Sequence, residues 1–197
     1  MDTVIIDSGG ANLASLQFAF ERLGASTHVS ADANTITQAS RVVLPGVGAA
    51  GDAMQRLRNS GIAELLPTLT QPVLGICLGM QLLFSSSEEG ATPCLGILPE
   101  TVRRLRPSAG LPVPHMGWNQ LEPLRDDPIL EGITRNDYVY FVHSYAVPVA
   151  AVTLAKTDYG VPVSAVVRKG NFWGAQFHPE RSAATGARLL ANFLRLN

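Results

Sequence analysis

Gln71-Pro72-Val73-Leu74-Gly75-Ile76-Cys77-Leu78-Gly79-Met80-Gln81-Leu82-Leu83-Phe84 is the stretch whose reading decides the fold. Val73, Leu74 and Ile76 form a short apolar run, the pattern of a strand buried on both faces. Cys77 follows, with Gly75 and Gly79 flanking it, and Met80, Leu82, Leu83 and Phe84 continue as good helix material. The segment reads as strand, sharp turn, helix, with a cysteine at the turn. This is the pattern of a nucleophile elbow, G-x-nucleophile-x-G, with sulfur in place of a hydroxyl. Two needs call for the glycines: backbone angles that a side chain resists, and chains that must come close.

The turn also gives the sulfur leverage. A helix N-terminus behind Cys77 offers unpaired N–H groups and partial positive charge. Both favour thiolate, the reactive form. The blander alternative is a small buried hydrophobe, the usual state of a free cysteine. The glycines and the strand–helix context favour a nucleophile, provided that a base exists elsewhere in the chain.

The chain has 197 residues, enough for a real core, and is expected to form one domain over residues 1–197. Hydrophobic residues make up 46% and charged residues 16%, a globular composition with more apolar surface than usual, which points to a partner. With 15 basic and 16 acidic residues and a net charge of −1, no field draws nucleic acid or a membrane surface. The two cysteines, Cys77 and Cys94, are too few for a disulfide scaffold and fit a reducing cytoplasm. Cys94 reads as a small core residue. Met1 to Asp7 carries no signal-peptide pattern, and no apolar run is long enough to span a bilayer. Metal-ligand spacing and phosphate-binding glycine loops are missing from the sequence, so neither a metal nor a cofactor is expected.

Outward from the elbow, the first half alternates. Thr3 to Asp7, Ala25 to Ser30 and Arg41 to Leu44 read as strands, with helical spacing over Ala11 to Leu23, Ala50 to Asn59 and Ile62 to Leu69. Such alternation implies a parallel sheet covered on both faces, with function at the carboxyl ends of its strands. Asp7, Pro45 to Gly48 and Cys77 all fall there. The second half changes character. Cys94 to Leu98, Val102 to Leu105, Tyr138 to Val142, Val149 to Lys156, Ser164 to Arg168 and Asn171 to Phe177 read as strands with few helices between, hence antiparallel. Arg181 to Leu196 is a final amphipathic helix.

Four histidines are available as a base: His28, His115, His143 and His178. His28 reads as a surface residue, and His143 as a buried, hydrogen-bonded one. His178 stands out because an apolar strand ends in His178-Pro179-Glu180. In extended backbone, residues 178 and 180 share a face, and a carboxylate beside an imidazole orients it and supports its charged form. Cys77 and His178 lie about a hundred residues apart, a distance that a site recognised by roles and not by spacing allows.

Gly75 to Gln81 together with Phe177-His178-Pro179-Glu180 resembles the class I (triad) glutamine amidotransferases, over essentially the whole chain. The resemblance implies a flavodoxin-like α/β fold, with an added antiparallel portion, and release of ammonia from L-glutamine. Pro45 to Ala49, His115-Met116-Gly117-Trp118-Asn119 and Tyr140 to Tyr145 further resemble the glutaminase subunits of imidazole glycerol phosphate synthases, which serve histidine biosynthesis. Ser8 stands where that family commonly has an aromatic residue, Ala11 where it has glycine, and Arg181 where it has lysine.

The resemblance assigns roles residue by residue. Cys77 is the nucleophile, His178 the proton carrier and Glu180 its orienting carboxylate. Oxyanion donors are the N–H of Leu78 and one from Val47 or Gly48. Gln81, Glu89, Ser144 and Tyr145 hold the amino-acid end of glutamine. Asn12, Trp118, Asn119 and Arg181 face the partner, a cyclase with a (β/α)₈ barrel. That barrel receives the ammonia within a heterodimer and makes imidazole glycerol phosphate and AICAR. Three other readings stay open: another triad glutaminase, such as one serving pyridoxal phosphate synthesis; a non-catalytic flavodoxin-like binding module; and a stand-alone cysteine hydrolase.

Overall fold

The computed structural model describes residues 3–9, 13–108 and 110–196. Its first half runs β1 (Thr3–Ile6), α1 (Leu13–Glu21), β2 (Thr27–Ser30), α2 (Ala33–Gln38), β3 (Arg41–Gly46), α3 (Ala50–Asn59), α4 (Ile62–Leu65), β4 (Val73–Cys77) and α5 (Leu78–Leu82). The second half adds β5 (Ser86–Ser87), β6 (Thr92–Pro93), β7 (Thr101–Arg104), β8 (His115–Gln120), β9 (Glu122–Pro123), β10 (Tyr138–His143), β11 (Tyr145–Ala146), β12 (Thr153–Asp158), β13 (Pro162–Lys169), β14 (Phe172–Ala175) and α6 (Ala183–Phe193).

The main sheet has the order β2-β1-β3-β4-β14-β13-β12-β9. From β2 to β14 every pairing is parallel; from β14 to β9 every pairing is antiparallel. Alternation along the parallel strands sorts their side chains into two cores. Ile5, Val43, Leu74 and Ile76 point to the face covered by α1 and α6, with Leu16, Phe20, Leu189, Leu190 and Phe193. Val4, Ile6, Val42, Leu44 and Val73 point to the other face, with Met54, Leu57, Ile62 and Phe84. The expected α/β class and mostly parallel central sheet are present.

The second half departs from expectation in four places. Phe172–Ala175 does not lie among antiparallel neighbours on both sides, because it pairs parallel with β4. Its residues are all buried, so it needs cover on both faces, and a place in the centre of the sheet supplies that. Cys94 to Leu98 is irregular chain, with its N–H groups spent on carbonyls of Leu82 to Ser85. The final helix covers only Ala183–Phe193, because residues 179–181 form a separate 3₁₀ turn. Finally, His115–Gln120 is a strand that the sequence did not announce. It pairs antiparallel with β10 to form a two-stranded ribbon beside the main sheet.

Candidate active site

The end of β4 fixes the first functional group. Cys77 sits at φ 54 and ψ −112 and begins α5. A non-glycine residue there stores roughly 1–3 kcal/mol of strain, which the surrounding structure must offset. The cysteine itself takes the unusual backbone angles. Gly75 and Gly79 are required by crowding, which corrects half of the argument made for them. A Cβ on Gly79 would lie 1.8 Å from the Leu44 carbonyl oxygen, and one on Gly75 would lie 2.7 Å from Met80 Cα. The helix is thus pressed flat against β3 and β4. It is also short, ending at Leu82, while Leu83 and Phe84 tighten into bonds to the carbonyls of Met80 and Gln81.

The parallel partner of β4 delivers the candidate base. Ala175 is in register with Ile76, so the chain leaves β14 on the same rim where Cys77 stands. Gln176 and Phe177 lead to His178. The expected extended His-Pro-Glu is instead a 3₁₀ turn over Pro179–Arg181. The proline supplies a fixed φ at the first position of that turn, and the turn, not strand alternation, folds the Glu180 carboxylate back. Glu180 Oε1 lies 2.8 Å from His178 Nδ1. The turn is braced on both sides. Ser182 Oγ donates to the His178 carbonyl (2.6 Å) and accepts from the Tyr140 N–H (2.9 Å), while the His178 N–H donates to the Tyr140 carbonyl (3.0 Å).

Burial works against a charged imidazole at His178. Hydrogen bonds and charge from Cys77 and Glu180 outweigh it and raise the pKa to about 10. Cys77 Sγ is buried, 3.9 Å from the Val142 carbonyl and 4.0 Å from Gln176 Nε2. A thiol, an imidazole held charged and a carboxylate behind it form an arrangement suited to nucleophilic attack on a carbonyl followed by proton delivery to the leaving group.

These groups open into a cavity of about 460 Å³. Its wall includes Pro45 to Gly48, Leu78, Gln81, Glu89, Ser144, Tyr145 and Arg181. Every residue assigned from sequence to catalysis, the oxyanion or glutamine therefore lines one pocket with Cys77, His178 and Glu180. Gly48 has φ +88, a conformation that glycine adopts at low cost. Ser8, buried beneath this loop, donates its hydroxyl to the Pro45 carbonyl at 3.2 Å. Glu89 Oε2 accepts the Ala50 N–H at 2.8 Å and so caps α3 just beyond the loop. Gln81 spends its amide nitrogen inside the protein, on the Tyr145 carbonyl (2.8 Å) and Gln176 Oε1 (3.0 Å).

Of the residues assigned to a partner, Arg181 is at the pocket rim and Trp118 is 54% exposed. Asn119 points its amide inward, to His115 Nε2 (3.3 Å) and the Asp158 carbonyl (2.7 Å). Asn12 and Ala11 lie outside the described residues. Cys94 is free and half-buried, and burial pushes its thiol up to about 11, which makes it a poor nucleophile. Sequence reasoning missed Gln176 and Ser182. The available signal for Gln176 was a lone amide between the apolar residues Ala175 and Phe177; the structure buries it fully.

A flavodoxin-like sheet with a cysteine elbow and a His–Glu pair opening into one pocket is the architecture of a glutamine amidotransferase. The chain belongs to the class-I glutamine amidotransferases, whose family model matches residues 4–196. It is 56% identical over 196 residues to imidazole glycerol phosphate synthase subunit HisH of Xanthomonas campestris, covering 100% of this chain and 98% of that protein. The subunit of the same name from Xylella fastidiosa is 53% identical over the same span, with the same coverage. Among solved structures, a crystal structure of a glutamine amidotransferase superposes with a TM-score of 0.76 at 20% identity, over 98% of this chain and 97% of that one, a likeness of fold.

Proposed function

We propose that this chain is the glutaminase subunit of an imidazole glycerol phosphate synthase, folded as one domain, and that Cys77, His178 and Glu180 are its catalytic triad. The observation that carries this reading is the His178–Glu180 pair at 2.8 Å on the rim beside Cys77. Relatives of that name at 53–56% identity supply the reaction.

Cys77 thiolate attacks the carboxamide carbon of L-glutamine. The negative oxygen that results is held by the N–H of Leu78 and by a second N–H from Val47 or Gly48. His178, protonated at the start, gives its proton to the amide nitrogen, ammonia leaves, and a thioester remains. His178 then takes a proton from water, the hydroxide attacks the thioester, and glutamate departs with Cys77 restored as thiolate and His178 as imidazolium. Glu180 keeps the imidazole oriented. Glu89 receives the substrate ammonium on the oxygen not engaged with Ala50, and Ser144 and Tyr145 hold the α-carboxylate end, with Gln81 as a strut beneath them.

The ammonia passes to a (β/α)₈-barrel cyclase. Its docking face is the outer side of the ribbon, where Met116, Trp118 and Tyr138 are 62%, 54% and 53% exposed, together with Val47 and Arg181 at the pocket mouth. Aromatic and Met side chains of this kind are enriched in interfaces. Docking at Val47 would also turn the second oxyanion donor inward. Losing one such donor costs roughly a hundred- to a thousand-fold in rate. Glutaminase turnover should therefore rise by about that factor when the cyclase and its nucleotide substrate are added. Equal turnover with and without them would remove the partner from the mechanism.

A further inference from the structure

The inner side of the ribbon carries a feature that the triad does not use. His115 and His143 are cross-strand partners on β8 and β10, and both are buried. The His115 ring is sandwiched between Phe141 (centroids 4.7 Å apart) and Tyr159 (3.9 Å). Its Nδ1 lies 3.0 Å from His143 Nε2, and His143 Nδ1 lies 2.8 Å from the Tyr145 carbonyl oxygen. The Asn119 amide nitrogen lies 3.3 Å from His115 Nε2.

These partners fix where the protons are. A carbonyl oxygen only accepts, so His143 carries its proton on Nδ1 and offers the lone pair of Nε2. His115 must then donate through Nδ1, which leaves its own Nε2 to accept from Asn119. Each bond determines the next, in one direction, from Asn119 to Tyr145. Burial favours the neutral rings that this chain requires, lowering both pKa values to about 4. The chain continues past Tyr145. The same carbonyl accepts from Gln81, Gln81 donates to Gln176, and Gln176 Nε2 is 4.0 Å from Cys77 Sγ. Its other end lies under the exposed face of Trp118 and Met116.

We propose that His115 and His143 are positioning residues for the substrate: a one-directional neutral relay that ties the docking ribbon to the Tyr145 carbonyl and sets the Ser144–Tyr145 backbone against the amino-acid end of glutamine. This rests on the reading of the pocket as a glutamine site. The relay acts on substrate placement and not on proton transfer, so its loss raises KM for glutamine and spares kcat.

Two measurements test it. In the ¹⁵N-labelled chain, imidazole nitrogen shifts should report His115 and His143 as neutral Nδ1–H tautomers near pH 7; an Nε2–H form at either ring overturns the relay whatever the substrate is. In the complex with the cyclase and its nucleotide substrate, His143→Ala should raise glutamine KM roughly tenfold, the effect of one lost buried hydrogen bond, with kcat within about threefold of wild type. His143→Asn keeps a donor near the Nδ1 position and should restore most of that loss. His115→Phe keeps the ring stack, removes the donor, and should fall between the two. An Ala variant with wild-type KM, or an Asn variant no better than Ala, overturns the proposal. A wild-type complex that neither hydrolyses glutamine nor is labelled at Cys77 by a glutamine-like affinity reagent would instead overturn the glutamine reading, leaving the tautomer result to judge the relay.

Discussion

His178 and His143 line the same cavity, yet the protein holds them in opposite protonation states. Both are buried enough for desolvation to favour the neutral ring. At His178 the Cys77 sulfur, as thiolate, and the Glu180 carboxylate at 2.8 Å reverse that preference and push the pKa up to about 10. At His143 burial dominates and lowers the value; the Tyr145 carbonyl raises it by less, and the neighbouring rings of His115 and His178 add to the lowering, so it falls to about 4. The residue type does not decide the role. Identical rings are held charged or neutral according to whether a formal negative charge stands within hydrogen-bond reach.

The comparison breaks most completely at the sulfur. Cys77→Ala should reduce glutamine hydrolysis by roughly five to six orders of magnitude, as for removal of other nucleophiles. Ammonia-dependent synthesis by the partner should survive. Loss of both activities would show that the substitution acts on the complex and not on the nucleophile.

Glu180→Gln is the next largest. It preserves shape but removes one of the two charges, Cys77 and Glu180, that distinguish His178 from His143. We expect kcat to drop by about 10²–10⁴-fold. The alkaline limb of the pH–rate profile, which reports loss of the His178 proton, should move down from about pH 10. A limb that stays in place would assign the elevated value to Cys77 alone.

Stability should carry the same contrast with opposite signs. The His178 pKa is raised from 6.5 to about 10 on folding, so its contribution is complete below about pH 6.5 and lost as pH rises toward 10. Those of His115 and His143 are lowered from 6.5 to about 4, so theirs is complete above about pH 6.5 and lost as pH falls toward 4. Urea midpoints measured across both windows should fall on each side. Glu180→Gln should flatten the alkaline slope and leave the acid one, and His143→Asn should do the reverse. The smallest effect belongs to Asn119→Leu, which removes the 3.3 Å link to His115 and, at a partly exposed position, the 2.7 Å bond to the Asp158 carbonyl. It should cost about 1 kcal/mol or less of unfolding free energy, read from the same titration.

Much of the site could be read before any coordinates, and the reasons are local. Gly75 and Gly79 around Cys77 follow from the bare geometry of a strand pressed under a helix, and the apolar run before them marks the centre of a sheet. His178-Pro179-Glu180 was legible as a pair, although for the wrong local reason: a 3₁₀ turn brings the carboxylate back where strand alternation was expected. The ribbon strand His115–Gln120 was not legible. Met116 and Trp118 alternate with small and polar residues, and their apolar side faces outward, so the usual sign of a buried face is missing.

By itself, then, the sequence determined the elements that rest on neighbours in the chain: the alternating first half, the cysteine elbow, and the imidazole–carboxylate couple. Only the tertiary structure decided the long-range relations. The parallel return of β14 beside β4 puts His178 on the rim of Cys77. The antiparallel register of β8 and β10 sets His143 against His115, and the Tyr145 carbonyl joins that pair to Gln81. Pairing between distant strands is set by burial summed over the whole sheet, and a proton's place on an imidazole is set by the partner opposite, so neither is written in any short run of residues.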